Sequence, residues 1–238
     1  MRRGDGDDPR FAGGKEYRKN ILKAHTTIMT RRLLCLLTGL VLMGLGVALG
    51  TRPGLGTTAI SSAPYVLHQI WGLSFGTWTV LFNIGFMVAQ MLILGRRYRW
   101  TQLLQLPAVA LFGVFIDLGM YLTGFWTPEH YLLRFAETFL GAAVMAAGIT
   151  ALLIADLVFV PGDGLVQVIS QVFHLNFGKV KICFDCSLVA LAIALSFLCL
   201  HRLDGVREGT ILAALCVGQL VRIYQPLATW ISQKVVFR

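Results

Sequence analysis

Six long apolar runs, strung through 238 residues with no polar domain between them, decide what this chain can become. A hydrocarbon core of about 30 Å takes ~20 apolar residues to cross as a helix. The runs at about 33–50, 75–94, 103–125, 131–154, 179–200 and 208–231 approach or exceed that length. Soluble domains carry roughly a quarter charged residues; this chain has 14%, with 56% hydrophobic residues and a mean hydropathy of +0.69. The expectation is an all-α polytopic membrane protein whose first partner is the lipid bilayer.

The formal net charge of +9 does not point to nucleic acid, because the charges are in the wrong places. Nine Lys and Arg fall within residues 1–32, and most of the others sit in short loops between apolar runs. That is the positive-inside pattern rather than a binding stripe. Residues 1–30 read as a disordered basic cytoplasmic tail. Two membrane repeats follow, 31–125 and 131–232, separated by Trp126-Thr127-Pro128-Glu129-His130.

The repeat is legible residue by residue. A shift of 102 lays Gly39 on Gly141, Met43 on Met145 and Gly46 on Gly148, and returns farther on for Phe75-Gly76 with Phe177-Gly178 and Asn83 with Asp185. A shift of 105 lays Gly113 on Gly218 and Asp117 on Arg222. Between the first and second runs of each half stands a short, half-polar segment, opened by Pro53-Gly54-Leu55-Gly56 or Pro161-Gly162-Asp163-Gly164. Paired Pro/Gly-interrupted short segments are the best sequence pointer to a transporter-like midplane site.

Loop charge orients the halves. If the short segments do not cross, each half has three spans and the halves are inverted; if they cross, the repeat is parallel. The first choice puts Arg96, Arg97, Arg99, Lys179, Lys181, Lys234 and Arg238 inside, with Arg52, Arg134, Arg202 and Arg207 outside. The second forces the Gly95–Arg99 cluster outside, against the positive-inside bias. Six transmembrane helices plus two short re-entrant or half helices, in two three-span repeats of inverted topology, is the reading this favours.

Candidate binding residues follow from that layout. Gly54, Gly56, Gly162 and Gly164 let backbone approach a ligand closely, and Thr57 adds a polar lining group. A half-helix N-terminus presents unpaired N–H groups, so two facing termini favour an anionic or carboxylate-bearing solute. Asp163 either caps its own helix or binds a coupling proton or cation. Ionisable residues inside a span face protein or water and have partners, which singles out Asp117, Arg222 and Asp185. Lys181 one turn from Asp185 offers it an i,i+4 pair, and Asn83 is its counterpart in the first half. Arg134 and Glu137, near the start of a run, read as a surface pair.

No enzyme signature is present, neither G-x-S-x-G, H-E-x-x-H nor a P-loop, so neither catalysis nor a cofactor is expected. His68 and His174 are not equivalent under the repeat, which argues against a metal site. Cys35, Cys183, Cys186, Cys199 and Cys216 all lie in apolar runs, where a thiol behaves as a small hydrophobe.

These features together resemble the YczE/YyaS/YitT-like family of bacterial integral membrane proteins. The likeness rests on the Gly-rich end of the first run leading into Pro53-Gly54-Leu55-Gly56, on Leu73-Ser74-Phe75-Gly76 and on Val114-Phe115-Ile116-Asp117. The recurrence at Pro161-Gly162-Asp163-Gly164 and Asn176-Phe177-Gly178 completes it. It covers roughly residues 33–228 and implies a multi-pass protein of the bacterial plasma membrane, N-terminus cytoplasmic, with a transport role. Members often carry an acidic residue shortly after the first-half glycines; this chain has Leu55, Thr57 and Thr58 there and an acid only at Asp163.

Two functions are expected to compete. One is a secondary transporter or permease for a small polar or anionic solute, with its site at the interface of the repeats. The other is a non-transporting accessory or regulatory protein whose Gly-rich faces bind membrane partners or a second copy.

Overall fold

In the computed structural model, residues 9–98, 100–125, 128–157, 160–202 and 204–232 are described. Residues 1–8 of the basic tail, Arg99, Trp126 and Thr127 of the linker, and Lys234 and Arg238 lie outside them. The helices are α1 (Pro9–Thr51), α2 (Ala59–Trp71), α3 (Phe75–Leu94), α4 (Gln105–Leu122), α5 (Tyr131–Ala155), α6 (Pro161–Val172), α7 (Phe177–Leu195) and α8 (Glu208–Ile231). Two 3₁₀ turns join α3 to α4, and a π-helical turn extends α7 to Leu200. No strand occurs among the described residues.

Among the described residues, six helical stretches are long and apolar enough to cross a membrane: Thr26–Thr51, Phe75–Arg97, Gln102–Leu122, Tyr131–Ala155, Phe177–Leu200 and Glu208–Ile231. The protein is therefore a polytopic membrane protein. At ~1.5 Å per residue, the 13 residues of α2 and 12 of α6 extend only about 20 Å and 18 Å, short of a bilayer core.

Local chemistry sets the helix ends. Ser74 caps α3 by accepting from the Thr77 N–H, and Asn176 caps α7 by accepting from the Gly178 and Lys179 N–H groups. Gly72, at φ 69°, closes α2 with the left-handed residue that favours glycine. Pro161 stands in the first turn of α6, where its missing N–H leaves nothing unbonded. α1 is continuous from Pro9 and takes in residues 9–30 of the basic tail. The helix of the apolar run carries back through Arg, Lys, Glu, Leu and Ala, which all favour helix.

The core is the α1–α5 seam. The 18-residue apolar stretches of α1 and α5 are each 44% buried, against 11% for that of α8. The two helices run antiparallel, and their contacts are reciprocal. A Cβ on Gly46 would meet the Met145 backbone nitrogen at 2.5 Å, and one on Gly148 the Met43 backbone nitrogen at 2.6 Å. Gly39 would meet the Gly148 carbonyl, and Gly141 the Gly46 carbonyl, each at 2.9 Å. Small residues let the helix backbones come this close. Around the seam, α4 packs on α1, α8 on α5, α6 on α3 and α7 on α2. Leu36, Leu40, Met43, Phe75, Phe112, Ile116 and Leu152 fill the largest buried apolar cluster.

Candidate functional site

Sequence-expected site residues fall in three places. The first is the N-terminal turn of α6. Here Asp163 Oδ1 accepts a hydrogen bond from Lys181 Nζ at 2.9 Å, and Lys181 also lies 3.0 Å from Asp185 Oδ1. Asp163 therefore does not cap α6; the α6–α7 hairpin carries it across to a lysine one helix away. The Lys181–Asp185 i,i+4 pair stands as expected. Glycines 162 and 164 give α3 direct access to this turn. Gly162 faces Ile60 and the Phe86 ring, and Gly164 faces the Gln90 side-chain amide. Gln90 is fully buried and donates from Nε2 to the Pro161 carbonyl at 2.8 Å. Phe86 meets Phe184 edge-on, ring centroids 5.3 Å apart. Ile60, second residue of α2, touches the second residue of α6, so the two short helices approach at their N-termini.

Asn83 belongs to the same wall. On α3 the buried residues Phe75, Thr79, Asn83, Met87 and Gln90 form one stripe. Asn83 donates to the Thr79 carbonyl at 2.8 Å, and its Oδ1, buried, has no hydrogen-bond partner among the described residues.

The second place is the Pro53–Gly56 loop. Gly54 and Gly56 take φ of 68° and 104°, which side-chain-bearing residues adopt only with strain. Leu55 is completely buried between them. The other half of the chain clasps the loop: Arg134 Nε donates to the Pro53 carbonyl at 2.6 Å, Arg207 Nη1 to the Gly54 carbonyl at 3.3 Å, and the Gly209 N–H to the Leu55 carbonyl at 2.7 Å. The Thr57 hydroxyl is 2.7 Å from that of Thr51, and the Thr57 N–H donates to the Gly205 carbonyl. Arg52 reaches the Gly124 carbonyl through Nη2 at 2.7 Å.

Glu137, which sequence reasoning put on the surface beside Arg134, is buried here, and neither of its carboxylate oxygens has a hydrogen-bond partner among the described residues. Arg134 has turned to the Pro53 carbonyl instead. Glu137 is thus a polar residue that sequence reasoning misplaced, and Gln90 one that it missed. Gln90 was findable, because it continues the Thr79–Asn83 stripe one heptad beyond Asn83.

The third place is the α3–α4 contact. Asp117 accepts from Ser74 Oγ at 2.6 Å and from the Gly76 N–H at 2.7 Å, tying α4 to the first turn of α3. Its counterpart Arg222 is exposed on α8 and has no such bonds among the described residues; the two do not pair with each other.

Two small cavities flank the α1–α5 seam, one bordered by Gly46, Gly56, Thr57 and Thr138, the other by Leu36, Gln105, Leu152 and Pro161. Each is about 10 Å³, room for roughly one water. The described residues hold no group of three or more His, Cys, Asp or Glu placed for a metal ion. All five cysteines are free thiols.

What the arrangement offers chemically is a shared lysine between two carboxylates at the mouth of a short helix, backed by a wall of buried amides. No curated protein and no solved structure matches the chain. A family model does, over residues 30–226, which takes in both Pro-Gly segments and all of the spans but the outer ends of the first and the last. The chain belongs to the family of unknown function DUF6198.

Proposed function

We propose that this protein is a secondary carrier for a small polar or anionic solute. In this reading two inverted three-span halves meet at the α1–α5 seam, and α2 and α6 re-enter from opposite faces of a bacterial plasma membrane. The N-terminus is cytoplasmic. Kinship with the YczE/YyaS/YitT-like proteins is part of the same proposal.

The observation that carries it is the Asp163–Lys181–Asp185 cluster. Asp163 and Asp185 each stand eight or nine residues from the α6–α7 turn. At ~1.5 Å per residue that is about 13 Å, close to half the depth of a bilayer core. Ionisable groups at such depth mark substrate or ion paths far more often than they serve packing. Two carboxylates against one lysine leave a charge for a proton or cation to balance, and a Lys181 released by Asp163 is a docking point for an anionic group. The reciprocal contacts of α1 with α5, each pair displaced by the same 102 residues, support the inverted arrangement.

The test is thermal stability of the purified protein against small anions, amino acids, amines and metal ions. A ligand bound only by the native state stabilises it by about 2.7 kcal/mol at a hundredfold excess over Kd. A hit that disappears in Asp163→Ala is the expected result. A response unchanged in that variant removes Asp163 from the site, and labelling of Arg97→Cys from outside the cell sinks the inverted arrangement.

The competing reading, a membrane protein that binds partner helices, draws on α8, whose outer face carries the exposed Gly218, Gln219, Arg222 and Gln225. It predicts a flat solute screen and a co-purifying membrane partner.

A further inference from the structure

The sequence shifts equate the α3–α4 pair with the α7–α8 pair, yet the two are in different states. α3 and α4 are closed on each other. A Cβ on Gly113 would lie 2.5 Å from Val80 and 2.8 Å from the Gly76 carbonyl, and Asp117 latches the two helices through Ser74 and Gly76. The packed helix pairs include α3 with α4 but not α7 with α8. Among the described residues, Gly218 has nothing within 4 Å of its missing side chain, and Gly178 meets only its own cap, Asn176. Ile182 and Leu215 are 65% and 68% exposed.

The opening bares charge. Thr79 and Asn83 are 2% and 1% exposed, whereas the side chains of their counterparts Lys181 and Asp185 are 29% and 31% exposed. On α8, Arg222 and Gln225 look out of a candidate membrane span. A charged side chain left against lipid is costly, so such a face belongs to water or protein during part of the protein's working life.

Resting on the inverted-halves reading above, we propose that the two pairs exchange states: α7 closes onto α8 as α3 now sits on α4, while α3 opens from α4. In the present state the charged groups of α7 are reached from the end where α7 begins. In the exchanged state Thr79 and Asn83 are reached from the opposite end, where α3 begins. Alternating exposure of one central wall is what a carrier requires. The chemistry of the latch explains which state is seen. Asp117 presents a carboxylate to the first turn of α3, where N–H groups and dipole favour it. The equivalent Arg222 would bring a cation to the first turn of α7, beside Lys179 and Lys181, so closure there lacks the bond that holds the other side shut.

The experiment is pulsed electron resonance on the full chain in lipid nanodiscs, with the five native cysteines replaced by serine or alanine. Spin labels are placed at Ile182→Cys with Leu215→Cys across α7 and α8, and at Leu81→Cys with Leu118→Cys across α3 and α4. Arg222→Asp supplies the missing latch, and Asp117→Asn weakens the existing one from a distance. Each is expected to raise the short α7–α8 population and lengthen the α3–α4 distance together. The ratio of states should move by about tenfold, the scale set by one or two charge-assisted hydrogen bonds. An α7–α8 distance unmoved in both variants, each eluting as a folded species, overturns the proposal. So does a short distance that appears in singly labelled protein, because it then arises between copies and a second chain fills the opening. None of these readouts needs a solute, so a failed ligand screen and a failed exchange remain separate results.

Discussion

Pro53-Gly54-Leu55-Gly56 and Pro161-Gly162-Asp163-Gly164 differ at one residue in four, yet they have different backbones. The first is a bent loop with two glycines at positive φ, and α2 does not begin until Ala59. The second is itself the first turn of α6. The differing residue accounts for the divergence. Leu55 is wholly buried and drags its loop into the core, where Gly209, Arg207 and Arg134 bond its carbonyls. Asp163 suits a helix N-terminus through the dipole and stays half exposed to meet Lys181. A repeated phrase therefore transmits a position in the fold, while the residue inside it chooses the conformation.

That contrast breaks most sharply at the glycines. Gly56→Ala should cost about 2–3 kcal/mol, since it strains a residue at φ 104° and drives a Cβ to within 2.5 Å of Thr210 Oγ1. Denaturant titration in detergent measures it, and a loss under half a kcal/mol would remove the loop from the account. Next comes the latch. Asp117→Ala should lose about 2 kcal/mol, the worth of charge-assisted bonds to Ser74 and the Gly76 N–H, while Arg222→Ala stays within about 0.5 kcal/mol; equal effects would erase the difference between the halves.

Smaller changes test the second phrase. Lys181→Ala should cost about 1 kcal/mol or less, because partly exposed pairs contribute little, but should abolish any ligand response that depends on Asp163. Gly162→Ala is the milder of the two glycine changes: a helical position with Ile60 Cδ1 3.3 Å from the new Cβ should come out within about 1 kcal/mol of neutral, helix propensity offsetting the crowding. Melting temperatures of Gly56→Ala and Gly162→Ala, taken side by side, give the comparison in one experiment.

The six spans were legible because run length is a local property; the ends of α3, α5 and α8, and of α7 with its π-helical extension, fall within two residues of where the sequence puts them. Long-range choices were not. Arg134 lies one turn from Glu137, and spacing alone pairs them; only the folded loop reveals that the Pro53 carbonyl outcompetes the carboxylate. Asp163 sits in the first turn of α6, and its partner is 18 residues on, across a hairpin turn. The glycines at 39, 46, 141 and 148 were legible as sites of close approach, whereas the reciprocity of their contacts exists only in three dimensions. Periodicity would have pointed to Gln90, but only packing identifies the Pro161 carbonyl as its acceptor.

The clasp on the first Pro-Gly loop has a consequence for biogenesis. The groups that satisfy the Pro53 and Gly54 carbonyls are encoded 81 and 153 residues downstream. At translation rates of about 5–20 residues per second, the loop waits roughly 8–30 s after synthesis for Arg207 to emerge. For about the latter half of that interval the first three spans are already made, with a buried-to-be leucine and the Gly54 and Leu55 carbonyls still unattended. The first Pro-Gly loop therefore reaches its bonded form only once the start of the last span has been made.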